Sequence, residues 1–340
     1  MGMAAKKNIS LTITFFTFFN GGRPMRNDSR IKVFSGSASQ EFTKKVCDYL
    51  GIPASESNVI TFSEGNIYVK IDEKVRGMDV YIIQTIGLDP NNEFMELLFW
   101  LDAFKRSGVN TATAIIPFFS YAKADKKDEP RVSIRARVCA DCLEIAGVDR
   151  VVTMDLHSPQ IQGFFRKPVD HLYAANIFCD YIKSMKLEDY VITSPDEGFA
   201  KNARYYSNRL GVPLVIGNKQ RSSHNESAEI LGIIGDVSNK TAIIVDDFTI
   251  TCGTLVETAK ALKVQGAKEV FAFVSHILLS ERGVSVLDDS PISMLYSTDT
   301  VNNPNVLKSG KTEIISVANF FAKAIKIIHE KDSLSELFIE

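Results

Sequence analysis

The chain has 340 residues, of which 45% are hydrophobic and 24% are charged. This composition is typical of a soluble globular protein, and the length suffices for two domains of ordinary size. The formal net charge of −2 gives no sign of a surface for polyanions, so we expect no nucleic-acid partner. Five cysteines without the spacing of a disulfide framework predict reduced thiols and a cytoplasmic location.

The first 29 residues differ from the rest of the chain. They contain no acidic residue before Asp28, and their apolar stretch, residues 11–19, is too short to span a bilayer. We therefore expect residues 1–29 to form an N-terminal extension, and we expect no membrane partner. A weak organelle-targeting peptide and a start at Met25 are alternatives that the sequence leaves open.

Strand and helix patterns alternate from Ile31 onward. In chain order the first half predicts strand IKVFSGSA, helix QEFTKKVCDYLG, strand DVYIIQTIG, helix NNEFMELLFWLDAFKRSG, strand TATAIIPFFSYA, helix RVSIRARVCADCLEIAG and strand DRVVTMDLH. The second half predicts strand DYVITSPDEG, helix FAKNARYYSNRLG, strands VPLVIGNK and AIIV, a helix through LVETAKAL, strand AKEVFAFVSHILLS and a closing helix ISVANFFAKAIKIIHE. The pattern indicates an α/β protein of two similar, doubly wound parallel-sheet domains, residues 30–168 and 169–340.

One segment, AIIVDDFTITCGTLVETAKAL, combines two features of a sugar-phosphate site. Its predicted strand, Ala242–Val245, ends at Asp246 and Asp247, and open α/β sheets bind ligands at the carboxyl ends of their strands. The turn into the next helix is Thr251, Cys252, Gly253 and Thr254. Free N–H groups at a helix start can hold a phosphate, and adjacent carboxylates suit ribose hydroxyls or a bridging Mg²⁺. This order favours a phosphosugar site over a capped turn with exposed acids.

Two other predicted strands also end in polar residues. Asp155 and His157 follow one strand, where a neutral imidazole could bind a divalent ion or a nucleotide phosphate. Asp196 follows another and precedes Gly198 at a helix start. A capping or core histidine is the alternative for His157.

Two loops are rich in cations. The first carries Lys123, Lys126, Lys127 and Arg131, and the second carries Lys219 and Arg221. Such loops can bind polyphosphate or neutralise a transferring phosphoryl group. A solvated charged surface is the alternative for both.

Together these segments resemble one family, the ribose-phosphate pyrophosphokinases, also called phosphoribosyl-pyrophosphate synthetases. The likeness runs from Ile31 to Phe338 and rests on VRGMDVYIIQ, MELLFWLDAFKRSG, YAKADKK, MDLHSPQIQGFF, TSPDEG, VDDFTITCGT and LSELF, in this order. It implies two domains of type I phosphoribosyltransferase-like fold. It also implies transfer of the β,γ-diphosphoryl group of ATP to O1 of ribose 5-phosphate, giving AMP and phosphoribosyl pyrophosphate, with Mg²⁺ as cofactor.

The resemblance also implies roles for individual residues. It implies that ATP is bound by Phe62, Glu64, Lys123, Asp128 and His157. It implies that ribose 5-phosphate is bound by Asp196, Asp246, Asp247, Thr251, Cys252, Gly253 and Thr254. The implied catalytic residues are Lys219, Arg221 and His157, and the implied metal ligands are His157 and Asp196. A homo-oligomer is implied because Phe62 resembles an aromatic residue that stacks on adenine from a neighbouring subunit.

The chain departs from the family pattern at several ligand-contacting positions. Lys123 and Ala124 stand where an Arg-Gln pair is usual, Asn66 lies in the adenine segment, and Ile250 replaces a third acid in the sugar-phosphate loop. A lysine loses the bidentate contact of an arginine, and an isoleucine accepts no hydrogen bond. Three hypotheses therefore stand: an active synthetase, a non-catalytic subunit that assembles with related synthetases, and a diphosphotransferase with altered nucleotide or sugar preference.

Overall fold

The protein is described by a computed structural model that covers residues 30–220 and 229–337. Its helices are α1 (Gln40–Leu50), α2 (Pro90–Ser107), α3 (Arg135–Ala146), α4 (Ala175–Ser184), α5 (Ala200–Leu210), α6 (Gly253–Val264), α7 (Glu281–Asp288) and α8 (Ala318–Glu330). The first seven strands are β1 (Ile31–Ser35), β2 (Ser57–Thr61), β3 (Ile67–Ile71), β4 (Asp79–Ile83), β5 (Thr111–Ile116), β6 (Arg150–Met154) and β7 (Val169–Leu172). The remaining strands are β8 (Tyr190–Ser194), β9 (Leu214–Gln220), β10 (Glu229–Ile234), β11 (Thr241–Thr249), β12 (Glu269–Ile277), β13 (Met294–Thr298) and β14 (Thr312–Ile315).

Two sheets of mainly parallel strands organise the molecule. The first has the order β1-β4-β5-β6-β7, and all of its neighbouring strands are parallel. The second has the order β10-β9-β8-β11-β12-β13-β14, in which only the β9–β10 pair is antiparallel. The strands are short β-branched runs because both of their faces are covered. The predicted α/β class with two parallel sheets is confirmed.

The strand order places the reversal point of the second sheet beside the acidic pair. Strand order reverses there between β8 and β11, which is where open α/β sheets form a ligand-binding crevice. The first sheet instead follows chain order, apart from the separate β2–β3 hairpin.

One face of each sheet packs into a shared apolar core, and the opposite faces contribute to separate cores. A single cluster contains buried residues of β1 and β4 together with those of β8, β11 and α8. At its centre Phe42 of α1 packs edge-on against Phe321 of α8, with the ring centroids 5.5 Å apart. The two halves of the chain are thereby held against each other along a buried layer.

Polar contacts also cross between the halves. The Thr85 hydroxyl donates to the Thr300 carbonyl over 2.6 Å, and Lys45 Nζ lies 2.9 Å from a carboxylate oxygen of Asp299. β7 pairs with β6, so the first sheet reaches Leu172 and runs past the boundary predicted after residue 168. The division into residues 30–168 and 169–340 stays a prediction.

The structure corrects two predicted elements. The strand predicted at Ala242–Val245 continues to Thr249, because β11 pairs with β12 as far as Thr249 and Ile277. The helix predicted from Arg131 begins at Arg135. The elements without a prediction are β2, β3, β7, β10, β13, β14, α4 and α7. Among the described residues, no helix is long and apolar enough to cross a bilayer.

Candidate active site

The acidic pair lies within β11 and not beyond its end. Asp247 is 8% exposed, and its Oδ1 accepts a hydrogen bond of 2.9 Å from the Phe248 N–H. The Asp247 N–H donates to Oδ1 of Asp246 over 3.0 Å. Burial, followed by the negative charge of Asp247, raises the pKa of Asp246 well above its usual range. A hydroxyl or cation that approaches this pair would relieve that repulsion.

His157 joins the first half of the chain to this pair. Its Nδ1 lies 2.7 Å from Oδ2 of Asp247, and its side chain remains 46% exposed. The hydrogen bond to Asp247 raises the pKa of His157. Because Nδ1 is engaged by the carboxylate, Nε2 is the ring nitrogen left for a ligand.

Asp155 connects the two sheets behind His157. Its Oδ2 accepts hydrogen bonds from Ser275 Oγ at 2.5 Å and from the Ala174 N–H at 3.1 Å. Burial raises the pKa of Asp155 to about 6. Its carboxylate is therefore engaged at the joint between β6 and β12, although both Asp155 and His157 line the pocket.

Lys123, which is predicted to bind ATP, lies in the same pocket as His157 and Asp247. The pocket is lined by Lys123, His157, Asp247 and Phe248, among others. Lys123 Nζ lies 3.8 Å from the centroid of the Phe248 ring. Ala124 is buried, so it presents no hydrogen-bonding side chain to a ligand. The prediction that Lys123 and His157 share a site with the acidic pair is consistent with this geometry.

Asp196 is near enough to Asp246 for its charge to act on that carboxyl group. Its Oδ1 accepts a hydrogen bond of 3.1 Å from the Phe199 N–H just before α5. Its charge adds to the burial and the Asp247 charge that raise the pKa of Asp246. His157 and Asp196 therefore interact with different members of the pair, one with Asp247 and the other with Asp246.

The predicted phosphate loop leads into α6 in an unexpected way. Cys252, not Gly253, adopts the left-handed conformation, with φ 59°. Its side chain is fully buried, and its N–H donates to Thr249 Oγ1 over 3.2 Å. The Gly253 N–H at the start of α6 donates to Thr251 Oγ1 over 3.4 Å, a long hydrogen bond that an anion at this positive helix end could replace. Thr251 and Gly253 are exposed there and Thr254 is half-buried.

Gly283 of α7 packs against the back of this loop. A Cβ atom built on Gly283 would lie 2.9 Å from the Ile250 carbonyl oxygen and 3.5 Å from the Thr251 Cα atom. Both are backbone atoms, which cannot rotate away as a side chain can. Gly283 therefore allows the loop its position, whereas Ile250 itself has a side chain 43% exposed.

Several predicted residues lie away from the pocket or outside the description. Phe62 and Glu64 are exposed at the turn of the β2–β3 hairpin, and Asp128 is exposed in the loop before α3. In the described part of the chain, no hydrogen bond, ion pair or ring contact joins any of these three to His157 or Asp247. Lys219 pairs through its backbone with Ile230. The Lys219 side chain and the whole of Arg221 lie outside the described residues.

The sequence prediction missed three residues that shape the site: Phe248, His276 and Gly283. His276 hydrogen-bonds with Nε2 to the Met154 carbonyl at 3.1 Å and with Nδ1 to Thr300 Oγ1 at 2.8 Å. The two adjacent polar residues, Ser275 and His276, in the otherwise apolar run FAFVSHI are the one signal that could have revealed it. Nothing in the sequence relates Gly283 to the loop that it supports.

Comparisons with known proteins agree with this geometry. Residues 31–147 match the family model described as the N-terminal domain of ribose phosphate pyrophosphokinase, and residues 222–339 match the phosphoribosyl synthetase-associated domain. The ribose-phosphate pyrophosphokinase of Campylobacter jejuni is 45% identical over 308 residues, which cover 91% of this chain and 99% of that protein. That of Caldanaerobacter subterraneus is 44% identical over 314 residues, covering 92% and 99%.

A solved structure shows the same fold. The phosphoribosylpyrophosphate synthetase of Mycobacterium smegmatis matches with a TM-score of 0.84 and 35% identity, covering 89% of this chain and 99% of that one. These relatives carry the names of enzymes, so the prediction of an enzyme of this kind is confirmed and a non-catalytic subunit is not favoured. Identity at this level along most of the chain shows that it belongs to the ribose-phosphate pyrophosphokinase family.

Proposed function

We propose that the chain transfers the β,γ-diphosphoryl group of ATP to O1 of ribose 5-phosphate, giving phosphoribosyl pyrophosphate and AMP. The observation that carries the proposal is the 2.7 Å contact between His157 and Asp247. It brings the proposed ATP-phosphate side, from the first half of the chain, against the proposed ribose side, from the second half. Groups proposed to bind the two reactants then lie side by side, as reacting geometry requires.

The ribose side of the proposal rests on two adjacent carboxylates, one half-buried and one buried, and on the start of α6. Asp246 and Asp247 would accept hydrogen bonds from the ribose hydroxyls, with Asp196 beside them. The 5-phosphate would lie at the start of α6, held by Thr251, Gly253 and Thr254 as helix N-termini hold anions. A direct role for Cys252 stays a prediction, since its side chain is buried and its N–H is engaged.

The residues present suit Mg²⁺ only together with substrate. Among the described residues, no group of three or more His, Cys, Asp or Glu side chains could hold a metal. Mg²⁺ is usually bound through one or two protein carboxylates, water and substrate phosphates, which suits the proposed ligand Asp196, while His157 as a ligand stays a prediction. When bound, Mg²⁺ would offset the negative charge of the phosphates.

The reaction would be a direct in-line displacement. The O1 oxygen attacks the β-phosphorus, the bond from the β-phosphorus to the oxygen bridging to the α-phosphorus breaks, and AMP leaves with that oxygen. The O1 proton is released. We propose that Lys219 and Arg221 stabilise the charge that builds on the transferred group.

The nucleotide base would be bound by a second copy of the chain. Phe62 is 46% exposed and lies on a hairpin with Tyr68, their ring centroids 6.1 Å apart. No contact in the described part of the chain joins this hairpin to the pocket lined by Lys123 and His157. Phe62 and Glu64 would therefore serve ATP from a neighbouring subunit in a homo-oligomer, or in a hetero-oligomer with related synthetases, whereas Asp128 lies in the loop that carries Lys123.

The direct test is to incubate the purified protein with ATP, Mg²⁺ and ribose 5-phosphate and to quantify AMP. AMP that forms only when the sugar phosphate is present would support the proposal. Well-folded protein that forms AMP with a different sugar phosphate or nucleotide would instead support altered specificity, which the Lys123, Ala124 and Ile250 departures favour. A protein inactive with every pair would defeat both proposals.

Ile250→Asp is expected to lower the KM for ribose 5-phosphate by roughly three- to tenfold, because it restores an ionised acceptor next to the loop. The Ile250 side chain is 43% exposed, so the carboxylate can be accommodated without burial. Ile250→Asn is the matched control, because asparagine has nearly the same shape as aspartate but no charge. An unchanged KM in Ile250→Asp would mean that the pocket is built around the apolar side chain.

Gly283→Ala is expected to raise the KM for ribose 5-phosphate by about tenfold, because a small displacement of the loop changes the geometry in which the sugar phosphate is bound. The KM for ATP should stay within about twofold of the wild type. The added methyl group would displace the backbone at Ile250 and Thr251. Gly310→Ala is the control, since a Cβ atom there meets nothing within 4 Å. Equal KM values in the two variants would show that the loop absorbs the methyl group.

A further inference from the structure

Phe248 lines the pocket of the proposed site. It has no ligand-binding role among the predictions from the sequence. It follows Asp247 on β11 and packs against a small apolar cluster of Phe118, Leu278 and Val301. This cluster draws residues from both halves of the chain. The Phe248 ring is therefore fixed by its neighbours and not free to follow a ligand.

Two proposed ATP-binding side chains contact this ring. Lys123 Nζ lies over its face, 3.8 Å from the centroid. The His157 ring meets it edge-on, with centroids 5.8 Å apart and an interplanar angle of 69°. All three side chains line the same pocket.

The ring is the main partner of the Lys123 ammonium group. Within residues 30–220 and 229–337 as described, Lys123 makes no hydrogen bond or ion pair, and the Phe118 ring is more distant, at 5.8 Å. The ammonium is also partly withdrawn from water, and burial lowers the pKa of Lys123 to about 8. A cation over an aromatic face is held most strongly when it is desolvated in this way.

A lysine needs such support more than an arginine would. Its ammonium is a point charge on a flexible stem and has no planar fork to fix its direction on a phosphate. Ala124, the next residue, is buried and offers no second contact. Besides the attraction of the Asp247 carboxylate, the position of the charge is therefore set by the Phe248 ring.

We propose that Phe248 is a positioning residue that holds the Lys123 ammonium over the pocket and thereby sets the affinity for the polyphosphate of ATP. The proposal rests on the proposed function of this site. It differs from a structural role for Phe248 because it requires the effect of the ring to pass through the charge of Lys123.

The experiment is a double-mutant cycle on Phe248→Leu and Lys123→Gln, with Phe248→Tyr as the conservative variant. Steady-state AMP formation gives both KM values, and calorimetric titration with ATP in the absence of sugar phosphate gives a Kd that needs no turnover. Phe248→Leu is expected to raise the KM and Kd for ATP about five- to tenfold, the range for a partly desolvated cation–π contact. The KM for ribose 5-phosphate should change by less than about twofold, and Phe248→Tyr should behave like the wild type, since its ring keeps the π face.

The double variant decides between positioning and packing. In the Lys123→Gln background, Phe248→Leu is expected to change the KM and Kd for ATP by less than about twofold, because the interacting pair is already broken. The same large change in both backgrounds would overturn the proposal and would leave Phe248 as a packing residue. If the wild type binds ATP yet forms no AMP, the proposed function fails, and the calorimetric cycle still tests Phe248. Wild-type protein that does not bind ATP would overturn both.

Discussion

Asp247→Asn is expected to lower kcat/KM for ribose 5-phosphate by about two to three orders of magnitude, because a charged hydrogen-bond acceptor is lost from a buried site. Asp247 Oδ2 accepts a hydrogen bond of 2.7 Å from the Nδ1 atom of His157, and Asp247 is 8% exposed. The amide keeps the size of the side chain, but its NH₂ group can no longer accept from a ribose hydroxyl or from His157. The readout is AMP formation at varied sugar-phosphate and ATP concentrations.

Asp236→Asn is the matched control for this variant. Asp236 lies in the same half of the chain, its side chain is 71% exposed, and its Oδ2 pairs with Lys240 Nζ at 2.8 Å. An exposed pair of this kind contributes little to stability, so kcat/KM should stay within about twofold of the wild type. Thermal unfolding of both variants checks that they fold. An Asp247→Asn protein that keeps more than about a tenth of the wild-type kcat/KM would contradict the proposed role of the carboxylate.

Local sequence patterns predicted much of the framework. Apolar β-branched runs such as Ala242–Val245 are strands because they are buried on both faces, and the acids after them are conspicuous for that reason. The same reasoning placed His157 and Asp196 after strands, and the structure brings both to the acidic pair. The β2–β3 hairpin was missed because its strands are only five residues long and alternate between half-buried and exposed positions.

The contacts that shape the pocket depend on distant parts of the chain. His157 and Asp247 are 90 positions apart and Ser275 and Asp155 are 120 apart, and no local pattern encodes such pairs. Gly283 is identified only by the backbone that lies against it. Phe248 lies beyond the strand predicted at Ala242–Val245, and its position next to the Lys123 ammonium group follows from the joining of the two halves.

A buried histidine at this joint predicts acid-sensitive folding. His276 is 1% exposed, and burial lowers its pKa from 6.5 to about 4. The unfolded chain then binds a proton that the folded chain excludes, so the contribution of His276 to stability is full above pH 6.5 and is lost as the pH falls toward 4. The loss is on the order of 3 kcal/mol. Asp155 acts in the opposite direction at overlapping pH, because burial raises its pKa from 3.8 to about 6.

The difference between wild type and His276→Gln isolates this contribution, since Asp155 is present in both. Urea unfolding at pH values from 7 to 4, without metal or substrate, should give a smaller loss of unfolding free energy in the variant than in the wild type. His157→Gln is the control: the Asp247 hydrogen bond raises the pKa of His157, so its contribution is instead lost as the pH rises. Parallel stability curves for wild type and His276→Gln would mean that His276 takes up its proton without unfolding. The hydrogen bonds from His276 to Met154 and Thr300 would then tolerate a charged ring at the joint that holds the proposed ATP and ribose sides together.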